Sequence, residues 1–461
     1  MPHLLMVSFH FPPSTNVGVH RSARFARRLG SEGWRVSVLT TTAPGSAAAD
    51  SKMREVRVHR APVLHPFRAA SELRRSLLGE RNGAPPAASG GTKDSAEESG
   101  DPPSEAVAAL SGRWQAAKDA VTGLFSFPDR NVGWIPFAIP IGLDVVRQGG
   151  VDAIYTSGPP HSSHLVGLAL KRLTGRPWIA DFRDPWTRRP WMSDAERASW
   201  QHRARVKLER LLVGRADRLV LNTERLRDDF LAHHKPADPS RFVWVTNGFD
   251  PAELPPDLPP VRRDRFRIIH VGTLYKKRNP VPLLESVARL IREGAIPRED
   301  VEVTFLGKIA LENVRLDRVI TDLNLSGVVK LESPIPHADC LRRMAEASVL
   351  LIVQPETDLQ VPGKLFEYMF LRRPVLALAH PGATADLVER HRLGRVADPE
   401  SPEEIAEAVK DLYKDTKDGP GGFAVDSEVM ERFDVRRTVK DLAAVLDSCL
   451  TAVGDSAGGS R

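Results

Sequence analysis

Short apolar, partly β-branched runs alternate with helical segments twice along this chain, and that doubled alternation limits the fold more than any other feature. The first series of runs is 4–11, 35–41, 152–157, 177–182, 218–223 and 242–247. The second is 266–272, 301–307, 328–333, 349–354 and 374–379, with a short sixth run at 394–399. Strands this short and apolar, with helices between them, predict mostly parallel sheets covered on both faces. Between the series lies PAELPPDLPPVRRDR, residues 251–265, whose five prolines and few apolar residues make a linker. The fold class is therefore α/β, with two doubly wound domains facing an interdomain cleft. The expected division is 1–250, linker 251–265, 266–430, a helix at 431–450 packing back toward the first domain, and a fraying tail at 451–461. Helices are predicted over 19–31, 162–173, 194–213 and 427–450. Residues 80–106 contain almost nothing to bury and read as a disordered insertion, with loosely held helices over 66–79 and 104–125. In doubly wound sheets ligands bind beyond the carboxyl ends of the strands, so the two domains would present their loops to each other.

Composition narrows the class. With 461 residues, 41% of them apolar and 27% charged, the chain has the profile of a water-soluble globular protein. No run of 18 apolar residues predicts a transmembrane helix. The first residues, MPHLLMVSFHF, read as a strand rather than a signal peptide. Two cysteines without metal-ligand or disulfide spacing fit a reducing cytoplasm. Charge is uneven: residues 1–250 carry 35 Lys+Arg against 25 Asp+Glu, while 251–461 carry 30 against 34. The basic first half points to an anionic partner such as membrane lipid, nucleic acid or an acidic substrate. An arginine-rich composition without any partner is the competing reading. No aromatic–basic module or recognition helix supports nucleic acid.

The candidate chemistry lies at strand ends. In VPGKLFEYMFLRRPVLAL, residues 361–378, Gly363 precedes a predicted helix whose first turns carry Lys364 and Glu367. A helix N-terminus attracts anions, the ammonium can neutralise a diphosphate, and the carboxylate can accept from a ribose diol. An amphipathic helix with solvated Lys and Glu is the bland alternative. In HVGTLYKKRNP, residues 270–280, Gly272 ends a strand and Lys276, Lys277 and Arg278 follow it. Cations there would offset charge on a diphosphate leaving group. Gly18, entering the first helix, would admit a phosphate to backbone amides, although no Gly-x-Gly-x-x-Gly fingerprint is present. Arg21 reads as a structural ion-pair partner. His161 follows Gly158-Pro159-Pro160 at a strand's end and is a catalytic candidate, whereas His164 reads as structural. In ADFRDPWTRRPW, residues 180–191, Arg183 and Asp184 are candidates for contact with reacting groups, with an internal Arg183–Asp pair as the alternative. Asp181 and Asp184 alone do not make a metal site, and no metal or other cofactor is expected. Helix 194–213 sets Trp200, Leu208, Leu211 and Leu212 among Arg197, Arg203, Arg205, Lys207 and Arg210, which suits either an anionic lipid surface or packing on its own sheet.

On these residues the chain resembles the retaining GT-B glycosyltransferases of family 4, over most of its length outside 42–125. The resemblance rests on the Gly18 loop, SGPPHSSH, DFRDPW, RADRLVLNT, TNGFD, VGTLYKKRNP and, most specifically, VPGKLFEYMF. It implies two Rossmann-like domains, Gly18, Gly272, Lys277, Arg278, Gly363, Lys364 and Glu367 about a nucleotide-sugar donor, and Lys364 and Glu367 on its diphosphate and ribose. Two departures stand out. The family's upstream Glu, eight positions before Glu367, is Leu359 here, with Asp358 one residue off and Glu356 three off. Where many relatives have a histidine after the fifth strand, this chain has Arg183, which leaves Asp184 or His161 as substitutes.

The implied reaction transfers a sugar from a nucleoside diphosphate sugar to a hydroxyl of a lipid-linked or polysaccharide acceptor, with retention, in the cytoplasm or at the inner face of the plasma membrane. Two other readings share the cleft: a nonhydrolysing nucleotide-sugar 2-epimerase, and an inactive nucleotide-sugar-binding protein.

Overall fold

The structure, a computed structural model, describes residues 1–64 except 15, 17, 52 and 54, residues 127–417 except 276, and residues 425–458. Side chains are described to 416 and 451 in the helices that end the last two stretches. The insertion read at 80–106, its flanking helices and Lys276 lie outside the described residues.

Among the described residues fifteen strands fall into two large sheets and one small one. The first sheet joins β1 (His3–Ser8), β2 (Arg35–Thr41), β3 (Arg57–Ala61), β4 (Ala153–Gly158), β5 (Trp178–Phe182), β6 (Arg218–Leu221) and β7 (Phe242–Trp244) in the order 3-2-1-4-5-6-7. The second joins β8 (Phe266–Val271), β10 (Val301–Leu306), β12 (Val329–Glu332), β13 (Val349–Val353), β14 (Val375–Leu378) and β15 (Gly394–Ala397) in the order 12-10-8-13-14-15. β9 (Leu274–Tyr275) and β11 (Ile309–Ala310) form a separate two-stranded pair. Every pairing is parallel. The reading of two doubly wound sheets is correct; β3, with a half-exposed, arginine-bearing sequence, escaped it.

Alternation along each strand divides the interior into four apolar layers. Leu4 and Met6 of β1 face one side, with Phe25 of α1 (Val19–Arg28) and Leu442 and Leu446 of a late helix. Leu5 and Val7 face the other, against α2 (Ile135–Gly149) and α3 (Ser162–Thr174). In the second sheet Leu351 and Leu376 point toward α6 (Val281–Arg292) and α10 (Pro402–Lys417). Leu350 and Ala377 point toward α7 (His337–Glu346), α8 (Lys364–Leu371) and α9 (Ala383–Arg390). Outside the first sheet also lie α4 (Trp200–Arg215) and α5 (Glu224–His234).

Two predicted helices are each divided. Residues 194–213 form a turn at Asp194–Ala198 and then α4, because Ser199 adopts an extended backbone (φ −68°, ψ 152°) and its hydroxyl accepts from His202 N at 3.1 Å. N-capping by serine outweighs continuing the helix. Residues 427–450 divide at Phe433–Asp434, where Phe433 O accepts from Phe249 N at 3.0 Å and Val435 N donates to Phe249 O at 2.9 Å. The second piece, α11 (Val435–Gly458), remains helical through 451–458, where fraying was expected. The proline-rich linker is pinned rather than loose. Asp250, just before it, binds Arg28 of α1, and Glu253, near its start, binds Arg24 and Arg27.

Candidate active site

The carboxyl ends of both sheets meet at one cleft, and α8 lines its second-domain side. Buried Leu365, Phe366, Tyr368 and Met369 fix that short helix against β8 and β13, leaving Lys364 and Glu367, one turn apart, on the other face. Lys364 Nζ donates to Val271 O at 2.6 Å, at the end of β8. Gly272 follows with φ +127°, a backbone conformation that favours glycine, and a Cβ there would stand 2.9 Å from Lys364 Nζ. Burial, together with Arg278, pushes the Lys364 ammonium down to about 7. An ammonium so placed is short of compensating charge, and a diphosphate supplies it. A Cβ on Gly363, at the helix N-terminus, would meet nothing within 4 Å, so the approach there is open.

Arg278 crosses Tyr275 at 4.7 Å and donates to Gln354 Oε1 at 2.8 Å, joining the loop after β8 to the end of β13. Lys277 is largely exposed, with Nζ 3.7 Å from Glu356 Oε1. Glu356 is thereby turned toward the lysine loop. Leu359, at the position of the upstream Glu, packs against the first domain's apolar layer, and its carbonyl accepts from Thr223 Oγ1 at 2.6 Å. The departure from the family pattern is therefore a contact between domains.

On the first-domain side, Arg183 donates to Gly158 O at 3.2 Å and to Pro159 O, and its guanidinium lies directly over Gly18, where any Cβ would collide with it. The alternative of an Arg183–Asp pair is not what forms. Arg21 instead takes Asp181 in a two-point ion pair, Nε to Oδ2 at 2.9 Å and Nη2 to Oδ1 at 3.1 Å, and also donates to Val245 O and Thr246 O. Tyr155 OH and Ser157 Oγ complete the carboxylate's shell, so Asp181 is sealed from the cleft. Asp184 accepts from Gln360 Nε2, across the domain boundary.

His161 is buried, stacked 4.3 Å from Trp186. Burial holds its imidazole well below the usual histidine range, and its Nδ1 has no partner. His164 is wholly buried and bonds Thr156 Oγ1 at 2.8 Å, a structural role. The geometry thus gathers Lys364, Glu367, Gly363, Gly272 and Arg278 on one wall and Gly18, Arg183 and Asp184 on the other, with His161 beneath the Gly158 loop.

Reading the sequence missed three members of the cleft: His20, His337 and Gln354. His337 opens α7 after Pro334-Ile335-Pro336 at a strand's end, the same context that singled out His161. Its Nε2 lies 3.1 Å from Glu367 Oε1, and its ring is 6.3 Å from that of His20 on α1. Glu367 raises the His337 imidazole above its ordinary value, while burial lowers that of His20.

Among the described residues one group, Glu209, His233 and His234, has the spacing to hold a metal ion. Arg188 Nη1 already stands 2.6 Å from Glu209 Oε1, and a cation there opposes a second one.

Two parallel-sheet α/β domains whose strand ends face one cleft define the GT-B fold. Residues 92–248 match the family described as glycosyl transferase 4-like domain, and residues 265–415 match glycosyl transferases group 1. The chain belongs to these glycosyltransferases. A D-inositol 3-phosphate glycosyltransferase of Paenarthrobacter aurescens is 28% identical over 261 residues, 54% of this chain and 61% of that protein. Another, from Thermobifida fusca, is 28% identical over 172 residues, 35% of this chain and 39% of that protein. The aligned part thus spans less than two thirds of these relatives. Among solved structures, Anabaena Alr3699/HepE in complex with UDP has a TM-score of 0.59 at 16% identity, covering 97% of this chain and 100% of that one. Sucrose-phosphate synthase of Thermosynechococcus elongatus has a TM-score of 0.62 at 13% identity, covering 98% and 100%. At such identities the likeness shows the fold alone.

Proposed function

We propose that this glycosyltransferase moves a sugar from a nucleoside diphosphate sugar to an acceptor hydroxyl with retention of configuration. The observation that carries the reading is the half-buried Lys364 ammonium, held at Val271 O near Arg278 and open Gly363, with Glu367 one turn away. Lys364 and Arg278 take the diphosphate, Gly272 admits it close to backbone, and Glu367 takes the ribose diol. Lys277 adds charge at the rim. As the sugar–phosphate bond breaks, negative charge grows on the diphosphate, and cations preset there stabilise the transition state more than the ground state. The leaving diphosphate accepts the acceptor's proton on the same face, so no protein nucleophile is required. Arg183 and Asp184, opposite, orient the sugar and acceptor. His161, buried and neutral, supports the loop that carries Arg183's carbonyl partners. No metal takes part, because side-chain cations offset the diphosphate.

The acceptor binds on the first domain. Along α4, Trp200, Arg203, Lys207 and Leu211 are exposed at helical spacing, a basic stripe with apolar members that suits a lipid-linked or polysaccharide acceptor at a cytoplasmic membrane face. The names of the curated relatives favour a second acceptor class, a phosphorylated polyol. Among the described residues no helix is long and apolar enough to cross a membrane.

Lys364→Ala and Glu367→Ala are each expected to lower transfer by about 10²-fold or more while leaving the circular dichroism of the free protein near wild type. Full activity in both would refute the site. A thermal-shift screen with UDP-, GDP- and ADP-sugars identifies the donor, since a ligand specific for the native state raises Tm by mass action. Conversion of a nucleotide sugar without acceptor would show an epimerase instead.

A further inference from the structure

We infer that His337 is a positioning residue for the donor ribose: it fixes one oxygen of Glu367 so that the other faces the sugar diol, with His20 closing the cleft above it. This rests on the reading of Glu367 as the ribose ligand. A carboxylate has about four lone-pair directions, and the single His337 contact at 3.1 Å occupies one of them. The Glu367 side chain is 19% exposed and the His337 side chain 55%, so the pair lies at the cleft surface with room beside it. Its neighbours come from both domains. His20 and Arg24 face it from α1, Glu253 from the linker, and Glu367 from α8, while Asp339 and Cys340 follow on α7 itself. Arg24 is engaged by Glu253 at 2.6 Å, which leaves Glu367 as the carboxylate hydrogen-bonded to His337. Two charged imidazoles 6.3 Å apart would repel, and their surroundings push them apart: burial lowers His20 while the bond to Glu367 raises His337.

An unheld Glu367 must be ordered when the nucleotide binds, and that cost appears in affinity rather than in the chemical step. UDP, GDP and ADP, with the 2′-deoxy form of whichever binds, are titrated by calorimetry into wild type, His337→Ala, His337→Gln, Glu367→Gln and the double variant His337→Ala/Glu367→Gln. His337→Ala is expected to weaken binding by roughly three- to tenfold and to shrink the preference for ribose over 2′-deoxyribose. Donor KM should rise while kcat stays near wild type. His337→Gln, which still donates but carries no charge, is expected to recover binding at pH 8. Because protonated His337 binds Glu367 more firmly, the ratio of Kd in His337→Gln to wild type should be largest near pH 6 and fall toward one as pH rises. The ratio cancels the titration of Lys364 and of the nucleotide. The double variant should bind like Glu367→Gln alone. Affinity within twofold of wild type in His337→Ala, tighter binding, or a ratio independent of pH would overturn the inference. Separately, no binding of any of the three nucleotides, or unchanged affinity in Glu367→Gln, would overturn the donor-site reading beneath it.

Discussion

At the scale of single residues the cleft depends on charges that are short of solvent. Burial lowers Lys364 to about 7, so above that pH the free protein loses the ammonium that a diphosphate needs. Affinity for a nucleoside diphosphate is expected to fall by up to about tenfold per pH unit between 7 and 9, read by calorimetry; Lys364→Met should bind weakly and without that slope. The sign for folding is opposite. Between about 7 and the ordinary 10.5, the unfolded chain holds one more proton at this group than the folded one, so the stability it governs rises with pH. Arg21 and Asp181 make the contrasting case, a buried pair with every oxygen satisfied. Asp181→Ala leaves Arg21 unpaired and is expected to cost about 3–5 kcal/mol, measured as a lowered denaturation midpoint. Lys364 and Glu367 could be picked out in the sequence because their chemistry is local: a glycine, a cation and a carboxylate within five residues. Asp181 could not be assigned, because its partner lies 160 residues away and an adjacent arginine, Arg183, offered a nearer false one.

Among elements, strands were easier to locate than the limits of helices. A strand covered on both faces must be apolar throughout, and such runs stand out. Helix ends depend on contacts that are not local, as where Phe249 captures the backbone on both sides of Asp434. The capping hydroxyl of Ser199 was local, yet amphipathic periodicity on both sides masked it. α11 shows what an element contributes away from its neighbours in sequence. Its Leu442 and Leu446 are fully buried in the layer that contains Leu4 and Met6. Leu446→Ala should destabilise the first domain by about 2–5 kcal/mol, seen as faster hydrogen exchange in β1 and β4 and not in β8 or β13.

For the whole molecule, one group of contacts between domains joins Thr223 to Leu359, Gln360 to Asp184, Arg225 to Asp386 and Arg390 to Glu224. The exposed pairs in this group each contribute little, and the packed Leu359 contributes more. Restoring the family's carboxylate with Leu359→Glu would bury a charge against the first domain's apolar layer. The expected result is a loss of roughly 1–3 kcal/mol in thermal unfolding and no gain in transfer. That two sheets would face one cleft could be read from the repeated alternation. That the segment ahead of the donor helix joins the domains could not, since an apolar residue at 359 carries no sign of where it packs.

The pairing of α11 with β1 also sets an order of events during synthesis. Leu442 and Leu446 finish a core begun at Leu4 and Met6, so the first domain emerges from the ribosome with one face of its sheet covered only in part, by α1. It stays that way while the second domain is translated, and the second domain can close on its own layers first. The nascent chain is thus exposed to aggregation longest at its earliest strands, and chaperone capture there should end when α11 is released.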